Sequence, residues 1–370
     1  MTRDLCINEL TVPALLLNEQ ICRRNIRNMA EKAKRNNVTL RPHFKTHQSH
    51  ETGRWFREEG TEKITVSSLR MAKYFAEDGW KDILVAFPVN ILEIDTINKL
   101  AKEIKLSLMV ESAEVVNFLQ EHLKSSVDIY IKIDAGLHRT GVSWDDHKTI
   151  FGILKSVERS LLTTFRGFLT HSGHSYKART YDEILAVHQE STSRMASLKD
   201  HFTGDYPGLI ISVGDTPTCS VMEDLSMVDE IRPGNYVFYD VTQSIIGSCI
   251  PDQIAVAMVC PVVATHKERN EVVIYGGSIH FAKDSIVDTN GITIYGKVVR
   301  NSGNGWGEII EGSYLKKLSQ EHGIVYLPND AIDDYNPGDI IKILPVHSCT
   351  TANLMKEYLT VDGRKIKMMV

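Results

Sequence analysis

The 370-residue sequence lacks an apolar run long enough to cross a membrane. The run nearest to its start, residues 12–17, is short and contains Pro13, so it predicts neither a signal peptide nor a membrane span. A formal net charge of −5 argues against nucleic acid or an anionic membrane as a partner, since both need a concentrated basic face. The six cysteines are scattered, without a CxxC pair or disulfide-like spacing. This distribution favours a reduced, cytoplasmic protein.

A glycine-rich dinucleotide turn is also missing, because no GxGxxG follows the first predicted strand. Residues 14–244 instead alternate between short apolar strands and amphipathic helices, such as the helix predicted over residues 18–36. Eight strands separated by helices predict a closed (β/α)8 barrel of the TIM type, with an open doubly wound sheet as the alternative. The predicted strands are residues 39–46, 64–68, 82–88, 107–112, 128–135, 165–171, 209–213 and 229–239.

The sequence pattern changes after Ser244. Runs such as residues 255–263 and 292–299 are rich in β-branched residues, are separated by Gly, Asn and Asp, and show no long helical pattern. They predict a C-terminal antiparallel β domain over residues 245–370, which residues 1–13 join. The chain is therefore expected to hold a barrel over residues 14–244 and a separate β domain.

One lysine stands in an unusual place at the end of the first predicted strand. Residues 40–47 read Leu-Arg-Pro-His-Phe-Lys-Thr-His, a combination that suits a hydrophobic core poorly. An amine at such a strand end can be desolvated and hydrogen-bonded, which makes a lysine reactive enough to form a Schiff base. The alternative is that Lys45 only caps the strand at the surface.

The functional groups of a barrel lie at the carboxyl ends of its strands. Lys45 ends the first strand, Arg139 follows the fifth, and glycine-containing turns follow the seventh and eighth. Such turns let backbone amides approach an anion, although each could be only a turn. Together these groups suggest pyridoxal phosphate, with Lys45 forming the Schiff base and Arg139 facing the ring hydroxyl. The phosphate would be held by Gly214, Thr216, Gly234 and Asn235.

A second signal lies near the end of the sequence, where residues 345–351 read Pro-Val-His-Ser-Cys-Thr-Thr. If this segment is extended, His347 and Cys349 lie on the same face. An imidazole and a thiolate suit zinc better than magnesium or calcium. Two protein ligands would leave the other positions to water or substrate, as in a catalytic site. The alternative is a buried cysteine beside a surface histidine.

Taken together, these segments resemble the fold-type III pyridoxal-phosphate enzymes, the alanine-racemase-like barrels. Within them the match is to the group of D-serine dehydratases and D-threonine aldolases, and it extends over nearly the whole sequence. Each motif is weak alone, but so many in the right order make a strong signal. The motifs are residues 10–17, 41–47, 132–142, 171–176, 212–218, 232–236, 321–323 and 347–349.

The resemblance implies roles for individual residues. Lys45 would carry the cofactor, and Arg139 would lie near its ring hydroxyl. Tyr176, or alternatively Arg232, would face the pyridine nitrogen. His47, close to Lys45 in sequence, is a candidate catalytic residue. The remaining candidate cofactor-binding residues are Gly214, Thr216, Gly234, Asn235 and Tyr236.

The residues at the positions of His347 and Cys349 distinguish the dehydratases from the aldolases within this group. D-threonine aldolases typically carry an aspartate at the position of Cys349, whereas the dehydratases carry histidine and cysteine, as here, and use zinc. The resemblance therefore implies a zinc- and pyridoxal-phosphate-dependent β-elimination of a D-β-hydroxy amino acid, with D-serine giving pyruvate and ammonia. One departure is Gln48, where members often have another lysine. It leaves the choice between D-serine and a 3-hydroxyaspartate open.

Three alternatives to dehydration stay open at this point. Retro-aldol cleavage of a D-3-hydroxy amino acid would use the same cofactor, and racemisation would need a second base but no metal. A pyridoxal-phosphate carrier without catalysis would resemble the barrel alone. Because the C-terminal domain of one subunit often reaches the active site of the other in this fold, a homodimer is expected by analogy.

Overall fold

The structure, a computed structural model, describes Ile7 and residues 10–370, which divide into two compact units. The barrel unit consists of Asn28–Lys45 and Phe56–Gly234. The β unit consists of the described residues up to Arg27, Thr46–Trp55 and Asn235–Val370. The boundaries predicted from sequence, after residues 13 and 244, stay predictions.

The barrel unit is built on one sheet whose neighbouring strands all run parallel. A parallel bridge between His43 and Thr65 joins the two ends of the strand order, so the sheet is nearly closed. The predicted (β/α)8 barrel is therefore confirmed. In sheet order the strands are Thr39–Leu40, Glu230–Ile231, Ile210–Val213, Thr163–Leu169, Val127–Asp134, Lys105–Val110, Asp82–Pro88 and Lys63–Val66, with Val142–Ser143 as an addition beside Val127–Asp134.

Two predicted strands are much shorter than expected. The strand predicted over residues 39–46 ends at Leu40, and the one predicted over 229–239 ends at Ile231. Pro42 and Pro233 follow closely in the two cases, and proline has no N–H to donate to a sheet. Lys45 consequently lies in a turn after the first strand.

Helices alternate with the barrel strands as the sequence predicts. Three of them begin at a hydroxyl side chain, Ser68, Ser112 or Thr180, that accepts an amide of the first helical turn. The helices of the barrel unit are Leu69–Glu77, Ile94–Glu103, Ala113–His122, His147–Val157, Tyr181–Phe202 and Thr216–Val221, while Glu19–Arg35 and His50–Glu58 include residues of both units.

The β unit is built around the strand Val256–His266, which pairs antiparallel with Ala14–Leu17, Glu271–Tyr275 and Ile340–Pro345. One pair, between Ala14–Leu17 and Glu357–Thr360, is parallel, so the predicted antiparallel β domain is a largely antiparallel, mixed sheet. The other strands are Ile286–Val287, Thr293–Ile294, Gly296–Ser302, Gly305–Ile309, Tyr314–Leu318, His322–Tyr326 and Lys365–Lys367; short helices are Val241–Ile245, Ser278–Phe281 and Ser348–Met355.

Part of the N-terminal segment belongs to the core of the β unit. Ile7 is fully buried and packs with Leu16, Val259, Ile340 and Leu359. Residues 1–6, 8 and 9, which were expected to join the β domain, lie outside the described residues. Within the described part of the chain, no helix has both the length and the apolar character of a membrane span. The cytoplasmic location stays a prediction from cysteine usage.

Candidate active site

The position of Lys45 in the barrel unit is fixed by its neighbour Phe44. The Phe44 ring is fully buried, with its centroid 4.9 Å from that of Phe75 and 5.0 Å from that of Trp80. Its amide donates to the carbonyl of Thr65 at 2.9 Å. Each aromatic pair of this kind contributes about 0.5–1.5 kcal/mol beyond its buried area. The backbone at Lys45 is therefore well anchored.

The Lys45 side chain itself is exposed. The expectation that the strand end desolvates the amine is wrong, because the strand ends at Leu40 and Lys45 lies in an exposed turn. The exposure agrees with the alternative that placed Lys45 at the surface.

A second lysine of the barrel unit, Lys132, is buried in the fifth strand. Its Nζ donates to the carbonyl of Ile133 at 2.9 Å. Burial, and then the positive charges of Arg232 and Arg139, lower the pKa of Lys132 to about 7. The strand ends here therefore hold basic groups close enough to repel one another.

His171, directly after the sixth strand, lies among the same charges. Its Nδ1 is hydrogen-bonded with the carbonyl of Gly214. Burial, together with the smaller effect of the charges of Lys45, Arg139 and Lys132, lowers the pKa of His171 to about 3, although the hydrogen bond to Gly214 acts in the opposite direction. The imidazole is neutral, and the surplus of positive charge around it suits an anionic ligand.

The two candidates for the pyridine nitrogen occupy different environments. Tyr176 accepts, at its hydroxyl, the amide N–H of Thr216 at 3.4 Å. Arg232 is buried, and its guanidinium donates to Ser212 Oγ at 2.7 Å and to the carbonyl of Thr170. Burial lowers the pKa of Arg232 to about 10, which still leaves it charged at neutral pH.

The turn after the seventh strand fits a phosphate. A Cβ at Gly214 would lie 2.9 Å from Cβ of Arg232, so glycine is needed for this close approach. Thr216 is fully buried, and its Oγ1 has no hydrogen-bond partner among the described residues. A buried hydroxyl without a partner costs free energy unless a ligand supplies one. Gly234 follows the eighth strand in the same unit.

In the β unit, the segment of the predicted metal pair is not extended. His347 precedes the helix Ser348–Met355, and Cys349 lies within its first turn. The extended conformation that would place both side chains on one face is therefore not adopted. Asp240, from a distant part of the chain, instead accepts the amide of Ser348 at 3.0 Å at the start of the helix. The side chains of His347 and Cys349 nevertheless interact: burial lowers the pKa of His347, but Asp284 and then Cys349 outweigh it and raise the pKa to about 11.

Two further side chains contact the sulfur of Cys349. Thr46 Oγ1 lies 3.2 Å from it, and Asn235 Nδ2 lies 3.4 Å from it. The same Asn235 nitrogen donates to Asp240 Oδ2 at 2.7 Å and Ser348 Oγ at 3.0 Å. Asn235, predicted to hold phosphate, thus has its side-chain NH₂ group committed within the β unit. Its neighbour Tyr236 is fully buried.

The donors at Cys349 fit a borderline-soft metal such as zinc. They comprise a thiol and an imidazole, with the Asp284 carboxylate 3.2 Å from His347 Nδ1. In the part of the chain that the structure describes, no group of three or more His, Cys, Asp or Glu residues is arranged to hold a metal ion. A metal here would therefore depend on two protein ligands.

His47, the predicted catalytic histidine, is fully buried in the β unit. Its Nδ1 accepts the amide of Ser49 at 3.1 Å, and its carbonyl accepts the hydroxyl of Tyr358 at 2.7 Å. Burial lowers the pKa of His47 to about 3. The ring is neutral, and a proton-transfer role would have to use Nε2.

Sequence reasoning did not single out four residues of these clusters. His171 begins a motif that was recognised as a whole, and Lys132 is a charged residue on an otherwise apolar strand, which is a usable signal. Thr46 directly follows Lys45 in sequence. Asp284 carries no local signal, because only the fold brings it to His347.

Two family models match the chain. The alanine racemase N-terminal domain matches residues 17–241, which is more than half of the chain, and the serine dehydratase domain model, D-ser_dehydrat, matches residues 255–361. The first match defines the class of the barrel unit as alanine-racemase-like.

Known proteins match over almost the full length. A D-serine dehydratase from Dictyostelium discoideum is 31% identical, over 96% of this chain and 95% of that protein. A D-threo-3-hydroxyaspartate dehydratase from Delftia sp. (strain HT23) is 27% identical, over 96% and 95% of the two chains. The solved structure of a cysteine-to-alanine mutant of D-threo-3-hydroxyaspartate dehydratase, in the metal-free form, superposes with a TM-score of 0.91 at 25% identity, covering 99% of both chains. Less similar relatives include 3-hydroxy-D-aspartate aldolases from Paracoccus denitrificans.

The chain therefore belongs to the D-serine dehydratase family of alanine-racemase-like proteins.

Proposed function

We propose that this protein is a lyase that eliminates water from a D-β-hydroxy amino acid, with D-serine giving pyruvate and ammonia. The observation that carries the proposal is the imidazole–thiol pair of His347 and Cys349, whose side chains are close enough for the thiol to raise the pKa of the imidazole. It occurs in a member of a family whose similar proteins are dehydratases of D-serine and D-threo-3-hydroxyaspartate.

Pyridoxal phosphate is the cofactor that family membership supports. When bound, it supplies an electron sink that makes the α-proton of an amino acid acidic. The basic groups at the strand ends, and the Thr216 hydroxyl that has no partner among the described residues, suit its phosphate and phenolate charges. The residues proposed to hold it are Lys45, Arg139, Tyr176, Gly214, Thr216, Arg232, Gly234, Asn235 and Tyr236.

Lys45 is proposed as the residue that carries the cofactor and, once displaced by substrate, as the base whose Nζ accepts the α-proton. An exposed side chain on an anchored backbone can make both movements. The neighbouring His171 stays neutral and so adds no further positive charge to the group.

His347 and Cys349 are proposed as the zinc ligands. Zinc, when bound, supplies Lewis-acid assistance to the departure of the substrate hydroxyl, which is a poor leaving group without it. The side chain of His347 is 40% exposed, so the pair is accessible to an ion from solvent. Thr46 and Asn235 would orient the thiolate through the contacts that they make with its sulfur.

Retro-aldol cleavage is the second candidate, favoured by the aldolases among the relatives. It would use the same lysine but break the Cα–Cβ bond. A thiol at position 349, where the aldolases typically have an aspartate, favours dehydration. A homodimer is proposed on the analogy of fold alone, and sedimentation analysis of the purified protein would test it.

Product analysis tests the proposed reaction. The protein, loaded with pyridoxal phosphate and zinc, is incubated separately with D-serine, D-threonine and D-threo-3-hydroxyaspartate. Ammonia with a 2-oxo acid is expected, and the best substrate identifies the natural class. Glycine together with an aldehyde, without ammonia, would show an aldolase and overturn the proposal.

A further inference from the structure

One carboxylate of the β unit faces the imidazole of His347 from another segment of the chain. Asp284 Oδ2 lies 3.2 Å from His347 Nδ1. The same oxygen accepts the hydroxyl of Thr350 at 2.5 Å, and Thr350 Oγ1 also lies 3.1 Å from the carbonyl of His347. The carboxylate is thus fixed in place by a residue of the helix that carries Cys349.

The segment that bears Asp284 is itself tied to that helix. Thr351 Oγ1 is 3.1 Å from the carbonyl of Phe281 and 3.0 Å from that of His347. Between Phe281 and Asp284 the chain turns through Ala282, whose φ of +65° is rarely adopted by residues other than glycine. A costly backbone conformation persists only where surrounding contacts maintain it. Here the contacts bring Asp284 to His347.

An imidazole binds a metal through one nitrogen, and the partner of the other nitrogen decides which one is available. In the neutral ring, with Nδ1–H donated to a carboxylate, Nε2 carries no proton and its lone pair can bind a cation. A carboxylate in this position also makes the ring a stronger ligand.

We propose that Asp284 is a positioning residue that holds Nδ1–H of His347 and presents Nε2 to the metal, while Thr350 holds Asp284. This inference rests on the proposed function, because it takes His347 as a metal ligand. Asp284 thus becomes a third residue of the proposed metal site, one that orients a ligand but does not itself bind the metal.

Cobalt binding to the metal-stripped full-length protein tests the proposal without relying on activity. Co²⁺ bound to the Cys349 thiolate gives a sulfur-to-cobalt charge-transfer band, and the ligand-field bands report the geometry of the site. Asp284→Ala is expected to weaken cobalt binding by about 10–100-fold and to change the ligand-field bands. Asp284→Asn, whose amide oxygen can still accept from Nδ1–H, is expected to restore part of the affinity.

Two further variants separate positioning from a loss of folding. Thr350→Val keeps the Asp284 carboxylate in the protein but removes the hydroxyl that donates to it. We expect this variant to lose less cobalt affinity than Asp284→Ala. Asp333→Asn, at an exposed carboxylate paired with Lys267 in the same unit, is the matched control and should bind cobalt like the wild type. Circular dichroism before each titration checks that every variant is folded.

The outcomes are distinguishable. Equal cobalt affinity and equal spectra for wild type and Asp284→Ala would overturn the positioning role and leave the metal pair untouched. A wild type that shows no thiolate band would overturn both this inference and the metal ligands of the proposed function.

Discussion

Thr46 and Cys349 share a hydrogen bond, with 3.2 Å between Oγ1 and Sγ. Thr46 is fully buried and directly follows Lys45 in the chain. The residue proposed to carry the cofactor is thus covalently joined to a residue that contacts a proposed metal ligand. A hydroxyl donated to a thiolate stabilises the charged form of the sulfur, which is the form that binds a metal.

Thr46→Val should therefore weaken metal binding. The substitution keeps the shape of the side chain but removes the hydroxyl, and a hydrogen bond to a charged group contributes about 1.5 kcal/mol or more, or roughly tenfold in affinity. Zinc affinity is measured by competition with a chelator. Thr265→Val, which removes a hydroxyl that donates to the carbonyl of Tyr335, is the control and should not change it. Unchanged affinity in Thr46→Val would show that the contact is only structural.

Lys45→Ala should abolish both the cofactor absorption band and turnover. Removing a group that carries the cofactor and transfers a proton is expected to lower kcat by at least about 10²–10⁴-fold. The absorption spectrum of the variant is recorded after incubation with pyridoxal phosphate. Lys81→Ala, at a lysine that directly precedes the third barrel strand, is the control. If Lys45→Ala keeps the band and the activity, the cofactor lysine has been assigned wrongly.

Thr216 offers a test of the phosphate turn. Thr216→Val replaces a buried hydroxyl that has no partner in the described part of the chain, so the protein itself loses no hydrogen bond. Affinity for pyridoxal phosphate should nevertheless fall by about tenfold or more, because a charge-assisted hydrogen bond is lost. Thr216→Ser, which keeps the hydroxyl, should bind the cofactor like the wild type. Equal affinity for the valine and serine variants would exclude this role.

Lys132 is expected to make the stability of the apoprotein depend on pH. Replacing it shows how much of that dependence this residue causes. Its pKa is about 7 in the fold against a usual value of 10.5, so between these pH values unfolding takes up a proton. The stability that is lost by burying the charged amine is greatest below pH 7. This loss decreases as the pH rises, at up to about 1.4 kcal/mol per pH unit. Lys132→Met should therefore be more stable than the wild type at pH 7 and lose this advantage towards pH 10.

The substitution removes the hydrogen bond from Lys132 Nζ but leaves the carbonyl of Ile133 with a partner, since it also accepts the hydroxyl of Thr170 at 2.9 Å. Thermal unfolding midpoints of both proteins between pH 6 and 10 provide the measurement. A constant difference between them across this range would mean that Lys132 is charged throughout.

The alternation of apolar strands and helices was sufficient to predict the barrel, whereas the roles of Lys45 and of the His347–Cys349 pair stay predictions. This alternation is a local feature, because it can be recognised from residues that are close together in the sequence. The extents of the first and eighth strands were not predicted, although Pro42 and Pro233 could have indicated them.

The parts that sequence reasoning missed depend on contacts between distant residues. The helix Ser348–Met355 was not predicted, because Asp240, which accepts the amide of Ser348, lies far away in sequence. For the same reason nothing pointed to Asp284 as a partner of His347. The exposure of Lys45 was one of two alternatives that the sequence left open, since it depends on where the chain leaves the sheet.

The most direct test of the account is ammonia release from D-serine after chelation and after the return of zinc, in the wild type and in Cys349→Ala. We expect the wild type and the control Cys249→Ala to lose activity with the chelator and to regain it with zinc, whereas Cys349→Ala stays inactive. Wild-type activity that survives complete removal of metal, or a Cys349→Ala variant that zinc restores fully, would contradict the account.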